Sequence, residues 1–252
     1  MKYFVFSDVH GCLRALKEAL DNAGYHPDNV NHHLLFLGDA FDKPSDQRDD
    51  YGVWLFLKEN IENGRLTWIR GNHEEYLLKV LKNEKMNTFC RETIRGIATG
   101  IEPTPAKGSD DDCIRALKDN GLDSFMNDHC VNYFETEHYV FTHGFIPYNK
   151  RTGYDSEWRN SVKWNYGDNG MRLVLEKGVR IPDKTLVCGH TGAYYGHWFV
   201  TQPRLSEKEL SKIKNKSAEY LDWFKPFFGD GVIGIDGWCY KTGIIHVLTI
   251  SD

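Results

Sequence analysis

The chain reads as an α/β protein built on a largely parallel sheet, and three observations predict this. Strand-like runs at 2–7, 34–37 and 66–69 each lead into a polar cluster and then a helical pattern, three times in succession. The run Leu34-Leu35-Phe36-Leu37 is continuously apolar, as in a strand buried on both faces. The polar clusters at 8–10, 39–42 and 72–74 fall at the carboxyl ends of the predicted strands, where such sheets bind ligands.

Residues 2–7 are aromatic and β-branched and form the first predicted strand. Gly11 follows, and Leu13, Leu16 and Leu20 at helical spacing predict a helix stopped by Gly24. After the second strand, 46–63 carries Val53, Leu57 and Ile61 on one helical face and ends at Gly64. The third strand runs straight into Arg70-Gly71-Asn72-His73-Glu74, where another helix starts. The stretch 75–130 is mostly helical, broken by a Pro-, Gly- and Asp-rich surface loop at 102–112. Within it Asp110-Asp111-Asp112 reads as a solvated helix start. Short strands at 139–142 and 185–188 end in His143-Gly144 and Gly189-His190. Ser206-x-x-Glu209 has the capping-box pattern, and a basic helix with Lys208, Lys212, Lys214 and Lys216 follows. The tail, 231–250, reads as a hairpin turning at Lys241-Thr242-Gly243. No repeat or domain boundary interrupts the pattern, so 1–252 reads as a single domain with inserts at about 85–130 and 196–230.

The bulk numbers set limits. With 252 residues the chain can bury a full core, and 40% hydrophobic against 27% charged residues is ordinary globular composition. A net charge of −5 offers no general attraction to nucleic acid or anionic membranes, so a phosphate substrate must be held by local positive charge. No apolar run has the length of a membrane helix or a signal peptide, which makes a soluble cytoplasmic protein the default. Cys12, Cys90, Cys113, Cys130, Cys188 and Cys239 show no Cys-x-x-Cys pair and read as small buried thiols in the reduced state.

Five short motifs stand at strand ends: Asp8-Val9-His10-Gly11, Gly38-Asp39-Ala40-Phe41-Asp42, Gly71-Asn72-His73-Glu74, His143-Gly144 and Gly189-His190. They bring mixed nitrogen and oxygen donors without thiolate, a set that suits Mn²⁺, Fe²⁺ or Zn²⁺ and argues against a closed structural zinc site. Two such ions about 3.5–4 Å apart can share a hydroxide, lower its pKa and stabilise an in-line displacement at phosphorus. Asp39, on the central strand, is the natural bridging carboxylate. Each motif alone is weak; all five in order at strand ends form a specific set.

At these residues the chain resembles the calcineurin-like metallophosphoesterases, and more narrowly their phosphoprotein-phosphatase branch. That branch includes bacterial and phage Ser/Thr phosphatases and symmetrical diadenosine tetraphosphatases. Asp8-Val9-His10-Gly11, Gly38-Asp39-x-x-Asp42, Arg70-Gly71-Asn72-His73-Glu74 and the segment from Ile235-Asp236-Gly237 carry the likeness. The resemblance implies a four-layer α/β/β/α sandwich with two central β-sheets. It implies two divalent cations, Mn²⁺ foremost with Fe²⁺/Fe³⁺, Zn²⁺, Ni²⁺ or Co²⁺ as others. Asp8 and His10 would bind the first, Asp39 would bridge, and Asn72, His143 and His190 would bind the second. His73 would be the general acid, oriented by Asp42, attacking chemistry being left to a metal-bridging hydroxide. A carboxylate beside an imidazole raises its pKa and fixes its ring, which suits that role.

The family usually has Arg-Gly after the second aspartate; here Lys43 and Pro44 stand there. Lysine is a flexible point charge where arginine offers a planar fork, so phosphate would be held differently. For a second phosphate clamp the candidates are Arg159, after Trp158, and an alternative alignment on Trp164-Asn165. His26, His32, His33, His129, His138, His197 and His246 lack motif context, and Trp54, Trp68 and Trp238 read as packing residues. The basic helix at 208–216 reads as a solvated face, with a substrate-facing insert as its other reading. The function expected is hydrolysis of a phosphorylated substrate, phosphoprotein or dinucleotide polyphosphate, with a non-catalytic binding protein on the same scaffold as the reading from another class.

Overall fold

Strict side-chain alternation along the central strands sends each strand's residues into two different cores, and this produces the layers. The computed structural model describes every residue except 44, 47, 85, 87, 103–107, 150–152, 155–156, 162–163, 202–205, 216–218 and 252. Strands β1 (Lys2–Phe6), β2 (His32–Phe36) and β3 (Leu66–Ile69) lie parallel. Strand β4 (Cys130–Val131) continues the sheet beyond β3, and β12 (Leu248–Ser251) closes the other edge antiparallel to β1. The second sheet has the order β10-β11-β9-β6-β5. It comprises β5 (Phe134–Glu135), β6 (Tyr139–Thr142), β9 (Thr185–Cys188), β10 (Phe227–Gly229) and β11 (Val232–Gly234). In it β6, β9 and β11 are mutually parallel. A small hairpin, β7 (Tyr148–Asn149) and β8 (Gly153–Tyr154), stands apart.

Phe4, Phe6, Leu34, Phe36 and Trp68 face a helical layer. That layer is made by α1 (Leu13–Asn22), α2 (Asp50–Glu62), α3 (Asn72–Leu81), α4 (Thr88–Ile101), α5 (Asp110–Asp119) and α6 (Leu122–His129). The alternate residues Val5, Leu35, Leu37 and Ile69 meet Phe141, Val187, Ile233 and Ile235 between the sheets. Val140, Leu186 and Val232 face outward onto Met171 and Val174 of α7 (Gly170–Leu175) and onto Phe227. The order of layers is therefore helices, sheet, sheet, helices, as the resemblance implies. Each fully buried Leu, Val or Phe contributes about 1.5–3 kcal/mol, so the three cores fix how the sheets dock and where their strand ends meet.

Two expectations shift. The helix expected over 46–63 begins at Asp50, because Asp49 caps it by accepting the Gly52 N–H at 2.8 Å. The tail is not a hairpin. Strand β11 joins the second sheet and β12 the first, with the short helix α10 (Cys239–Thr242) between them and Gly243 in the left-handed region at its end. Two others hold: Asp110-Asp111-Asp112 opens α5 behind a Ser109–Asp112 capping box, and Ser206 and Glu209 cap α9 (Glu207–Asn215). Helix α8 (Tyr194–Val200) packs under α9 through Tyr194, Leu210 and Ile213. The six cysteines are unbridged, and no helix among the described residues is long and apolar enough to cross a membrane. Pro44 and Lys216 lie outside the described residues.

Candidate metal centre

Six loops leave the carboxyl ends of six parallel strands, three from each sheet, and converge. The loops after β1 and β2 are joined by backbone bonds: Asp8 N–H to Gly38 O at 2.9 Å, His10 N–H to Asp39 O at 3.1 Å and Gly11 N–H to Ala40 O at 2.8 Å. Glu74, at the start of α3, ties in the β3 loop. Its carboxylate accepts the N–H groups of Asp39, Ala40 and Gly71 at 2.9, 2.7 and 2.7 Å. On the other sheet Gly189 N–H reaches His143 O at 2.9 Å, and Ala193 N–H reaches Asp236 O at 2.8 Å. The two halves meet where His190 N–H donates to Asp8 Oδ2 at 3.0 Å. A side chain on Gly189 would put its Cβ 2.4 Å from that oxygen, and one on Gly71 would lie 2.3 Å from Asp39 Oδ1. Glycine at both positions is what lets backbone approach the carboxylates.

The backbone is strained here. Asp8, His10, Asp39, Asp42 and His190 all have φ between 45 and 77°. Such positions cost on the order of 1–3 kcal/mol each and persist where surrounding contacts over-determine them.

Two groups of side chains offer ligand atoms within 4.8 Å of one another: Asp8, His10 and Asp39, and Asp39, His143 and His190. Asp39 belongs to both. Asn72 Oδ1 lies 3.0 Å from His143 Nε2, so it joins the second group. The imidazoles are aimed by their far nitrogens: His10 Nδ1 donates to Phe41 O at 2.6 Å and His143 Nδ1 to Leu37 O at 2.7 Å, which turns both Nε2 atoms inward. The donor set is oxygen and imidazole nitrogen without thiolate, and it fits borderline divalent cations.

The electrostatics favour the same occupant. Burial pushes the Asp8 carboxyl well up, and the Asp236 and Asp39 carboxylates push it further. Asp236 is itself raised to about 7 by burial, against the Trp238 N–H it accepts at 2.7 Å. Burial holds His10 down to about 3 and His190 down to about 4, so both rings are neutral and carry a free lone pair. At His143 burial also favours the neutral ring, but Asp39, 3.3 Å away, outweighs it and lifts the group to about 10. Carboxyl groups crowded together in a buried site, beside the two neutral imidazoles of His10 and His190, are stabilised as carboxylates by multivalent cations.

His73 stands beside these groups rather than inside them. Its Nδ1 donates to Asp42 Oδ2 at 3.2 Å, and its Nε2 faces Asp39 Oδ2 at 3.8 Å. Burial would lower its pKa, yet Asp39 and then Asp42 raise it above the ordinary value. Asp42 is fully buried and also accepts from Thr93 Oγ1 and, at 3.3 Å, from Cys90 Sγ, both on α4.

Lys43 is brought to the centre. Its Nζ lies 5.6 Å above the Tyr240 ring, and its charge acts on His10, His73 and Asp236. Arg159 is engaged elsewhere: its guanidinium grips Glu135 on β5 at 2.8 and 2.5 Å and stacks on Trp158 at 4.5 Å. The histidines without motif context stay out of the centre; His33 Nε2 pairs with Thr67 Oγ1 at 2.9 Å and His197 Nε2 with Lys225 O at 3.0 Å. On the basic helix, Lys214 Nζ lies 5.3 Å over the Tyr194 ring, and Leu210 and Ile213 anchor it. Sequence reasoning missed Asp236 as part of the charge cluster, and the apolar strand ending at Asp236-Gly237 was its one signal. It also missed Tyr240, whose ring edge meets His10 at 5.5 Å.

The family described as "Calcineurin-like phosphoesterase" matches residues 1–211. Among curated proteins, the asymmetrical bis(5'-nucleosyl)-tetraphosphatase PrpE of Oceanobacillus iheyensis is 24% identical over 215 residues, 81% of this chain and 80% of that protein. Serine/threonine-protein phosphatase PP1-1 of Saccharomyces cerevisiae is 34% identical over 70 residues, 28% of this chain and 22% of that protein. Among solved structures, the cold-active protein-tyrosine phosphatase of a psychrophilic Shewanella species is similar over 100% of this chain and 75% of its own, at TM-score 0.49 and 14% identity.

Proposed function

From the premise that this chain belongs to the calcineurin-like phosphoesterase family and is a hydrolase, we propose that residues 1–252 act as one domain cleaving phosphate esters or anhydrides around two divalent cations. The observation that carries this is the pair of ligand groups sharing Asp39, with the His73–Asp42 pair alongside. Asp8 and His10 would hold one cation, Asn72, His143 and His190 the other, and Asp39 both. The foremost ion is Mn²⁺, with Fe²⁺/Fe³⁺, Zn²⁺, Ni²⁺ and Co²⁺ also suited to nitrogen and oxygen donors. Bound there, the cations supply Lewis acidity toward phosphoryl oxygens and toward the attacking water.

The protein's own groups do the rest. His73, kept protonated by Asp39 and Asp42 against the pull of burial, donates its proton from Nε2 to the leaving oxygen. Asp42 holds the Nδ1–H and so fixes which nitrogen faces the substrate. Lys43 places a positive charge close enough to act on His73 and would draw the phosphate. Arg159 would join it only by exchanging Glu135 for substrate. Glu74 keeps the Asp39 and Asn72 loops at fixed separation. Six unbridged thiols suit a cytoplasmic setting.

The substrate proposed is a phosphoprotein, handled as by a Ser/Thr phosphatase; the match to the yeast enzyme is short but has the higher identity. The longer alignment, to a nucleosyl-tetraphosphatase, favours a dinucleotide polyphosphate instead. Purified protein with Mn²⁺ should cleave p-nitrophenyl phosphate, and turnover with none of the five metals would refute phosphoesterase action. Parallel assays on a phosphoserine peptide and on diadenosine tetraphosphate decide the substrate: turnover of the peptide alone supports the first reading, and of the dinucleotide alone the second.

A further inference from the structure

Behind Asp42 lies a chain of polar contacts that no motif announces. Thr93 Oγ1 donates to Asp42 Oδ1, and Arg48 Nη2 donates to that same Thr93 oxygen at 2.8 Å. Arg48 is held in turn by Asp50, through Nε at 2.5 Å, and by Glu92, through Nη1 at 2.7 Å. Thr93 and Asp42 are fully buried. The direction of these bonds is set by chemistry. A guanidinium has donors only, so the Thr93 oxygen must accept from Arg48. The hydroxyl has a single proton, which is left to point at Asp42 Oδ1. Cys90 and His73 Nδ1 occupy the other carboxylate oxygen. Both oxygens are thus engaged, and the carboxylate plane is locked.

The packing that permits this is written in α4. Gly96 and Gly100 lie one turn apart, and added Cβ atoms would come within 3.0 Å of Asp50 Oδ2 and 2.1 Å of Tyr51 Cγ. Bare backbone at these positions brings α4 close against the start of α2, which places Thr93 over Asp42 and Glu92 beside Arg48.

We propose that Thr93, oriented by Arg48, is a positioning residue for proton donation to the leaving group: it fixes Asp42 and through it the angle of the His73 ring. This rests on the assignment of His73 as general acid, and it gives the segment 85–130 a share in the reaction. An acid matters most when the departing oxygen is basic, so misaligning it should penalise poor leaving groups selectively. The test compares phenyl phosphate with p-nitrophenyl phosphate on the Mn²⁺-loaded protein. Thr93→Val keeps the shape and removes the hydroxyl. It should lower kcat on phenyl phosphate by about 10- to 100-fold, the size of effect seen when an orienting contact is lost. The rate on p-nitrophenyl phosphate should change several-fold less, KM for both should hold, and Thr93→Ser should restore the phenyl ester. Arg48→Met leaves the buried position intact, serves if the valine disrupts packing, and should show the same selectivity at smaller size. Equal losses on both esters, or no loss, in the Thr93 and Arg48 variants would overturn the proposal. His73→Asn run alongside separates the two ideas. Selective loss there without selectivity at Thr93 removes only the positioning role. Equal losses at His73 itself remove the acid assignment, and the role of Thr93 with it.

Discussion

The two sheets contribute unequally to one site. The loops of the first sheet supply Asp8, His10, Asp39 and Asn72 and, in addition, the His73–Asp42 pair backed by α4. Those of the second sheet supply His143, His190 and Asp236, side chains suited to holding or balancing a cation, and, among the described residues, no histidine–aspartate pair like His73–Asp42. The first half is also the more constrained, since Glu74 gathers three backbone N–H groups from two loops and four of the five strained ligand-region residues belong to it. The lesson is that groups able to hold a cation are shared between the halves, whereas the proposed acid–base pair and the rigidity around it are concentrated in one.

Substitutions can break that division, beginning with the residue common to both halves. Asp39→Asn should nearly abolish turnover and release metal, read by elemental analysis; full metal content at normal rate would refute bridging. His73→Asn should retain metal but lose roughly 10²–10⁴ in kcat, the usual share of a general acid, and metal loss would mean that it is a ligand instead. Asp236→Asn, in the second half, should weaken metal affinity by about 10- to 100-fold with kcat at saturating metal little changed, as for an outer carboxylate; a kcat loss at full loading would place chemistry in the second sheet too.

The smallest effect sharpens the rigidity argument. Burial raises Asp50 to about 7, against the pull of Arg48. An unfolded aspartate titrates at about 3.9, so folding disfavours the ionised form. The stability this group contributes is complete below about pH 3.9 and is lost as pH rises through about 7. Asp50→Asn should therefore lose less Tm than the parent between pH 4 and pH 7. A difference between the two proteins that does not change with pH would refute the shift.

Much of this was legible because ligand chemistry demands particular residue types at particular places. Asp-x-His, Gly-Asp-x-x-Asp and Gly-Asn-His at the ends of apolar runs leave few other readings, and the parallel inner sheet follows from the same runs. Asp236 was hidden by the misread tail: a short apolar run with turn residues near it does not encode which sheet it will pair with. Thr93, Cys90 and Arg48 carry no local signature, since their roles depend on how closely α4 approaches α2. Lys43 was legible as a charge near the ligand groups, whereas Arg159 could not be placed from sequence because its partner, Glu135, lies on a different element.

The contact between His190 N–H and Asp8 spans 182 residues. Cys239 Sγ reaches the Asp8 carbonyl at 2.9 Å across 231. During synthesis Asp8, His10 and Asp39 emerge long before the strands that complete their surroundings. An unfinished chain thus lacks His143 and His190 of the proposed chelating set, and tight ion uptake there would be the act that closes folding rather than one that begins it.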